Sequence, residues 1–365
     1  MTERKRLLTL LKGEKPDRVP WLGDLAYWYP SALENGLIDK KYAGDGLFDL
    51  HRDLGVGFYL QGYFPFAQKT DETIQITRTH SGNEHLTEWT TPVGSLRQLD
   101  VYLPESYTSA IKEHCIKTLD DLKTFVYIQE HTAYTPSYAE AERRYRLAGD
   151  NGVVLCYLPK SPYMELVALQ AGIESVVDMM MEDDEAFEAL LAALEIRTDC
   201  AAQIALDSPA ECLMLPENIT SEVVGKGPFN RFMHTYHSKW HARIRAAGKV
   251  SFVHLDGTMR GLIRELSEAG ARVLEALTPA PVGDIEIEDI QAHVCDHTII
   301  WGGIPGIYFT DLISDAQFDE FVRRVLDTMT TAPRYVLGVA DQIPPGSRVE
   351  RIARVRTLVD QYGQY

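Results

Sequence analysis

The chain reads as an α/β protein, a (β/α)8 TIM barrel with an N-terminal helical extension and an inserted β-hairpin at about residues 73–101. Three observations lead there. Short apolar runs alternate with amphipathic stretches along almost all of the 365 residues. Several of those runs end on His, Asp or Glu just before a turn. No Gly-rich phosphate loop follows the first run, which weakens the alternative of an open doubly wound sheet. With 45% hydrophobic residues and neither a low-complexity linker nor a clear internal repeat, residues 1–365 are expected to form one domain.

The elements follow in order. MTERKRLLTLLKGEKPDRVP opens with a charged amphipathic helix and lacks the h-region and cleavage site of a signal peptide. DRVPWLGDLAYW supplies a strand beginning near Val19, and LGVGFYLQGYF is a Gly-punctuated apolar run ending at Phe64. TIQITRTH and HLTEWTTPVGSLRQLDV alternate with period two around the turn signal SGNE, which predicts the hairpin, placed over the barrel mouth or its flank. KTLDDLKTFV and PSYAEAERRYRLAGDNG predict helices, VVLCYL a strand, and residues 163–206 a long, broken helical stretch. FMHTYHSKWHARIRAAG, with His234, His237 and His241 at near-helical spacing, reads as the polar side of an amphipathic helix rather than a metal site. Five more strands follow with helices between them: ECLMLPE, KVSFVHLDG, ARVLEAL, HTIIWGG and RYVLGVADQ.

Composition narrows the function. A formal charge of -17 and a pI near 5.1 argue against nucleic-acid backbones and anionic membrane surfaces, both of which require dense Lys/Arg patches. No apolar run approaches the roughly 20 residues that span a bilayer, so a soluble, cytoplasmic protein is expected. Cys115, Cys156, Cys200, Cys212 and Cys295 are odd in number, scattered and never in a CxxC pair. That disfavours a disulfide framework or a four-cysteine zinc site.

In a barrel, reactive residues gather at the C-terminal ends of the strands. This rule selects Asp24, Glu217, Asn218, His254, Asp256, Glu275, Thr278, Asp341 and Gln342. His254 and Asp256 lie two apart, so both can point into the mouth while Leu255 packs behind them. One imidazole with two or three carboxylates suits zinc, manganese or iron(II) better than calcium or copper(I). Plainer readings stand beside this one. A strand-end His is also what a core histidine bonded to a carbonyl looks like, Asp256-Gly257 can be a turn and N-cap, and Asn218 or Thr220 can cap a helix and leave Glu217 a paired loop charge.

The residues also carry a resemblance. GEKPDRVP, TPVGSL, PENI, GKVSFVHLDGTMRGLIRELSEAGARVLEALTPAPVGDIEIEDI, WGGIPG and VADQIPPGSRVERIARVRTLVDQYG together resemble the uroporphyrinogen decarboxylase superfamily over nearly the whole chain. The resemblance implies a (β/α)8 barrel and two branches, porphyrinogen decarboxylases and zinc-using methyltransferases linked to cobalamin or corrinoids. The decarboxylases carry an Arg-rich RQAGRY-type stretch after the first strand; here WLGDLAYWYPS has no Arg and places Asp24 there. A polyanionic porphyrinogen would lose its clamp. The methyltransferases hold zinc with H-x-C and a later cysteine, positions that here read His254-Leu255-Asp256 and Asp341. Carboxylates in place of thiolates make a harder centre, suited to oxygen rather than thiol substrates.

The resulting expectation is a divalent metal, zinc foremost, on Glu217, His254, Asp256 and Asp341, with His254, Asp256 and Glu217 as the catalytic groups. Asp24, Tyr27, Tyr63, Tyr163, Asn218, Thr278 and Gln342 would line the substrate site, with Trp28 and Tyr59 as further aromatic walls. The expected reaction is O-demethylation with methyl transfer to a corrinoid on a partner protein. The rivals are a metal-assisted lyase, decarboxylase or hydrolase with His254 as general base, and a non-catalytic ligand-binding barrel. The expected partners are a small-molecule substrate and a corrinoid protein, with homodimerisation left open.

Overall fold

The computed structural model describes residues 1–59 and 62–365. Its strands, in chain order, are β1 (Leu22–Asp24), β2 (Gly57–Tyr59), β3 (Phe66–Thr70), β4 (Gln75–Ser81), β5 (Glu84–Thr91), β6 (Gly94–Leu103), β7 (Thr108–Glu113), β8 (Thr132–Pro136), β9 (Leu155–Tyr157), β10 (Cys212–Ile219), β11 (Val250–Leu255), β12 (Val273–Leu277), β13 (Ile299–Pro305) and β14 (Tyr335–Ala340). Of the predicted run LGVGFYLQGYF, only Gly57–Tyr59 forms strand, and Leu60 and Gln61 lie outside the described residues.

Eight of these strands make the barrel. β9 to β14 pair in parallel in chain order, β1 pairs with β2 in parallel, and single parallel bridges close the ring, Phe58 to Gly152 on one side and Trp21 to Leu337 on the other. Inward-facing Leu22, Leu155, Met214, Phe252, Val273, Ile299, Trp301 and Val336 fill the interior as one apolar cluster. The outward faces of the strands pack against the surrounding helices, as a TIM barrel requires.

The N-terminal helix Glu3–Leu11 closes the floor. Leu7, Leu10 and Leu11 join the interior cluster. Arg4 clamps Glu211 with two bonds of 2.6 Å and donates to the Gly152 carbonyl, while Arg272 donates to the Leu11 carbonyl. These partners precede β10, β9 and β12, so the helix covers the N-terminal ends of the strands and leaves the opposite end open.

The insertion is larger than the sequence predicts. Instead of a hairpin over 73–101, β4 to β7 form a four-stranded antiparallel sheet that runs to Glu113. β3 and β8 make a separate antiparallel pair beside it. The sheet docks through Leu96 and Gly94 on the helix Leu119–Glu130, where a Cβ on Gly94 would lie 2.5 Å from the Thr124 hydroxyl. Tyr27 donates to the Ser106 carbonyl at 2.5 Å and ties the insertion to the barrel mouth.

A second expectation fails in the helix His234–Ala246. His237 and His241 are buried rather than on a polar face, because that side of the helix packs on the barrel, His237 against Glu217 of β10 and His241 against Gly270. Among the described residues, no helix is long and apolar enough to cross a membrane.

Candidate active site at the barrel mouth

Strand alternation decides which side chains reach the mouth. In β11, Phe252 points into the barrel, so His254 and then Asp256 do as well; in β12, Val273 and Glu275 do. Glu275 pairs with His254 in register and accepts a hydrogen bond from its Nδ1 at 2.6 Å. A carboxylate only accepts, so the proton sits on Nδ1 and Nε2 is left facing the cavity. Nε2 lies 3.8 Å from Asp256 Oδ1 and 3.6 Å from Asp341 Oδ1. Asp341 reaches this point because its backbone is left-handed, with φ at 70°, a conformation that short polar side chains tolerate.

The donor set fits a divalent cation. His254, Asp256 and Asp341 each offer one ligand atom, all within 4.8 Å of one another, and no other such group of three occurs among the described residues. Bonds of about 2.0–2.2 Å in a tetrahedral shell set ligand atoms about 3.4 Å apart, so a small closing movement would complete the site. Three protein ligands leave a further position for substrate or water.

The charges are strongly coupled. Burial opposes protonation of His254, but Glu275, Asp256 and Asp341 outweigh it and raise the imidazole to about 9. Burial raises Asp341 to about 6, opposed by His254 and reinforced by Asp256 and Glu275. Asp24, at the end of β1, is pushed to about 7, chiefly by burial and in spite of the hydrogen bond it accepts from the Ala26 N–H at 2.7 Å. Tyr59, buried beside Glu275, is held well above its ordinary value, first by burial.

Most of the predicted residues meet at one cavity of about 710 Å³. Asp24, Tyr27, Tyr59, Asn218, His254, Glu275, Asp341 and Gln342 line it, with Asp256 on its rim through Asn218. Four predicted site residues lie elsewhere. Glu217 is fully buried on the outward side of β10, with Leu213 and Leu215, and accepts from the Ser161 N–H, the Ser161 hydroxyl and His237 Nε2 at 3.0, 3.0 and 3.1 Å. It is therefore neither a ligand nor a mouth residue. Tyr163 stacks on Phe232 in the helical layer, with ring centroids 5.0 Å apart. Tyr63 lies under the Arg144 guanidinium, away from the mouth. Thr278 turns back to the Ala276 carbonyl at 3.4 Å. Trp28, offered as a wall, is buried and donates to the Ser347 carbonyl.

Three of the larger side chains lining the cavity, Lys160, Tyr157 and Phe64, are not among the predicted site residues, although Tyr157 ends β9 and Phe64 ends a predicted apolar run. Lys160 follows β9, donates to the Pro216 carbonyl and to Asn218 Oδ1 at 2.6 Å, and is lowered by its burial. Asn218, with φ at 52°, passes that contact on by donating to Asp256 Oδ2 at 3.0 Å. Tyr157 and Phe64 complete the wall. The available signals were those two ends and the position of Lys160, two residues past the run VVLCYL.

A closed parallel barrel with a His-Asp-Asp group at its C-terminal mouth defines the class of protein: a (β/α)8 barrel with a candidate metal site where such folds do their chemistry. The chain belongs to the uroporphyrinogen decarboxylase family, whose model matches residues 92–362. Among solved structures, a methyltransferase from Methanosarcina mazei is similar over 99% of both chains, with a TM-score of 0.63 at 12% identity, which bears on the fold alone. A designed cube-shaped protein cage, built by fusing symmetric oligomeric domains, matches over 60% of this chain and 55% of its own at 15% identity; its TM-score of 0.28 carries no argument. No curated protein sequence matches the chain.

Proposed function

We propose that this barrel is a metal-dependent methyltransferase that demethylates a small oxygen-bearing substrate and passes the methyl group to a corrinoid on a partner protein. The observation that carries the reading is His254, fixed by Glu275 through Nδ1 and offering Nε2 to two carboxylates. Zinc suits a three-ligand shell with an open position, and when bound it supplies Lewis acidity toward an oxygen. The protein's own groups do the rest. Glu275 sets the tautomer and orientation of His254. Lys160 holds Asn218, which in turn holds Asp256 in place. Asp24, with its carboxyl protonated up to about pH 7, can give a proton to an oxygen that leaves the methyl group. Among the described residues, Lys160 and His254 are the only cationic side chains lining this cavity, which supports a small substrate over a polycarboxylate.

The test is elemental analysis of chelator-treated, zinc-reconstituted protein, followed by methyl transfer from a methyl ether to a corrinoid protein. About one zinc per chain is expected, lost in His254→Ala and in Asp341→Ala. Protein that takes up no divalent ion with Asp256 and Asp341 intact would sink the reading. A second reading, a metal-assisted lyase, is favoured by the pairing of cationic His254 as acid with the Asp341 carboxylate, 3.6 Å away, as base; turnover without any corrinoid distinguishes it.

A further inference from the structure

The cavity at the mouth continues past the triad. A second cavity of about 510 Å³ lies under the inserted sheet, and the two share Phe64, Lys160 and Leu169 as lining. Phe64 is 50% exposed and Leu169 38%, so unfilled apolar surface stands at the junction. Rings run through it without a break. Tyr157 on the mouth side meets Phe64 at 5.6 Å, Phe64 meets Phe66 at 5.4 Å, and Phe66 meets Tyr134 at 5.5 Å, all tilted or edge-on. Opposite them, cross-strand register sets Ile76, Trp89 and Leu96 in one row on the inner face of the sheet. Glu165, accepting from Gln170 at 2.8 Å, adds a polar group to the lining.

We propose that this second cavity is a substrate compartment that takes a planar aromatic body, with the substrate's oxygen end directed toward His254, Asp256 and Asp341. A methanol-sized substrate would leave these rings against water. A ring under the sheet gains edge-to-face contacts with the aromatic run, and the volume falls within the usual range for ligand sites. The inference rests on the metal reading only for the direction in which the substrate lies. Burial of the aromatic body needs no ion.

The test is calorimetric titration of the full chain, with and without zinc, using 4-methoxyphenol as probe and methanol as the small control. Phe64→Ala removes the junction ring, and Thr198→Trp sets an indole into the compartment from its helical wall. Saturable binding of 4-methoxyphenol is expected, weakened about tenfold or more in each variant, with zinc uptake as in the wild-type chain. No saturable binding to the wild-type chain, or wild-type affinity in both variants, overturns the proposal. Should Thr198→Trp fail to fold, Phe64→Ala decides alone, because its ring is already half exposed. Binding of the probe by a chain that takes up no zinc supports the compartment and defeats the metal reading.

Discussion

At the scale of single residues, the site is organised around the Nδ1 bond of His254. Glu275→Gln keeps an acceptor at that position but removes the charge, so zinc affinity measured against a chelating dye should fall by about 10–100-fold with the fold intact. An unchanged affinity would mean that Glu275 serves packing alone. Asp24 gives a prediction of a different kind. Its carboxyl moves from an ordinary 3.8 up to about 7, and an acid raised by folding withdraws stability as pH climbs from its unfolded value to its folded one. In the metal-free chain Asp24 by itself should therefore withdraw up to a few kcal/mol between about pH 4 and about pH 7. Asp24→Asn stays neutral throughout, so its melting temperature should exceed that of the wild-type chain at pH 8 and converge with it near pH 4. The same gap at both pH values would exclude this account. His254, Asp256 and Asp341 were legible in the sequence because each ends an unmistakable apolar strand. Glu217 was misread although its own strand held the answer. Met214 faces inward, so by alternation Pro216 and Asn218 do too, and Glu217 joins Leu213 and Leu215 on the outside.

At the scale of elements, the eight barrel strands fall where apolar runs predict them, since buried parallel strands need nearly continuous hydrophobic sequence. The insertion was legible only in part. SGNE marks its first turn plainly, but TSAIKE in β7 is exposed and polar, and nothing in its pattern separates a sheet edge from a loop. The barrel seam was not legible at all. β1 and β2 are three residues each, and single bridges close them onto β14 and β9. Glycine makes one of those bridges possible: a Cβ on Gly152 would lie 2.1 Å from the Phe58 carbonyl oxygen, which is backbone and cannot step aside. Gly152→Ala should therefore destabilise the chain by about 2–4 kcal/mol in denaturant unfolding. Gly94→Ala meets only a threonine hydroxyl and should cost less. Equal costs would show that the seam is not under this constraint.

At the scale of the whole molecule, the two ends of the barrel have separate duties. The floor, under the helix Glu3–Leu11, is apolar and clamped by Arg4 and Arg272, whereas the mouth gathers coupled carboxylates whose shifts work against stability. This division explains how the chain keeps the fold of a solved structure at 12% identity: the floor and layers answer to general packing, which many sequences satisfy. It also makes a prediction. Leu10 is fully buried in the interior cluster, so Leu10→Ala should cost about 2–5 kcal/mol by denaturant unfolding. Leu312, 78% exposed, should change stability by less than about 0.5 kcal/mol when replaced by Ala. Because Leu10 acts at the end opposite the triad, Leu10→Ala should bind zinc with wild-type affinity wherever it remains folded. A folded Leu10→Ala chain with weakened zinc binding would show that floor and mouth are coupled through the barrel interior, and the separation of duties would fail.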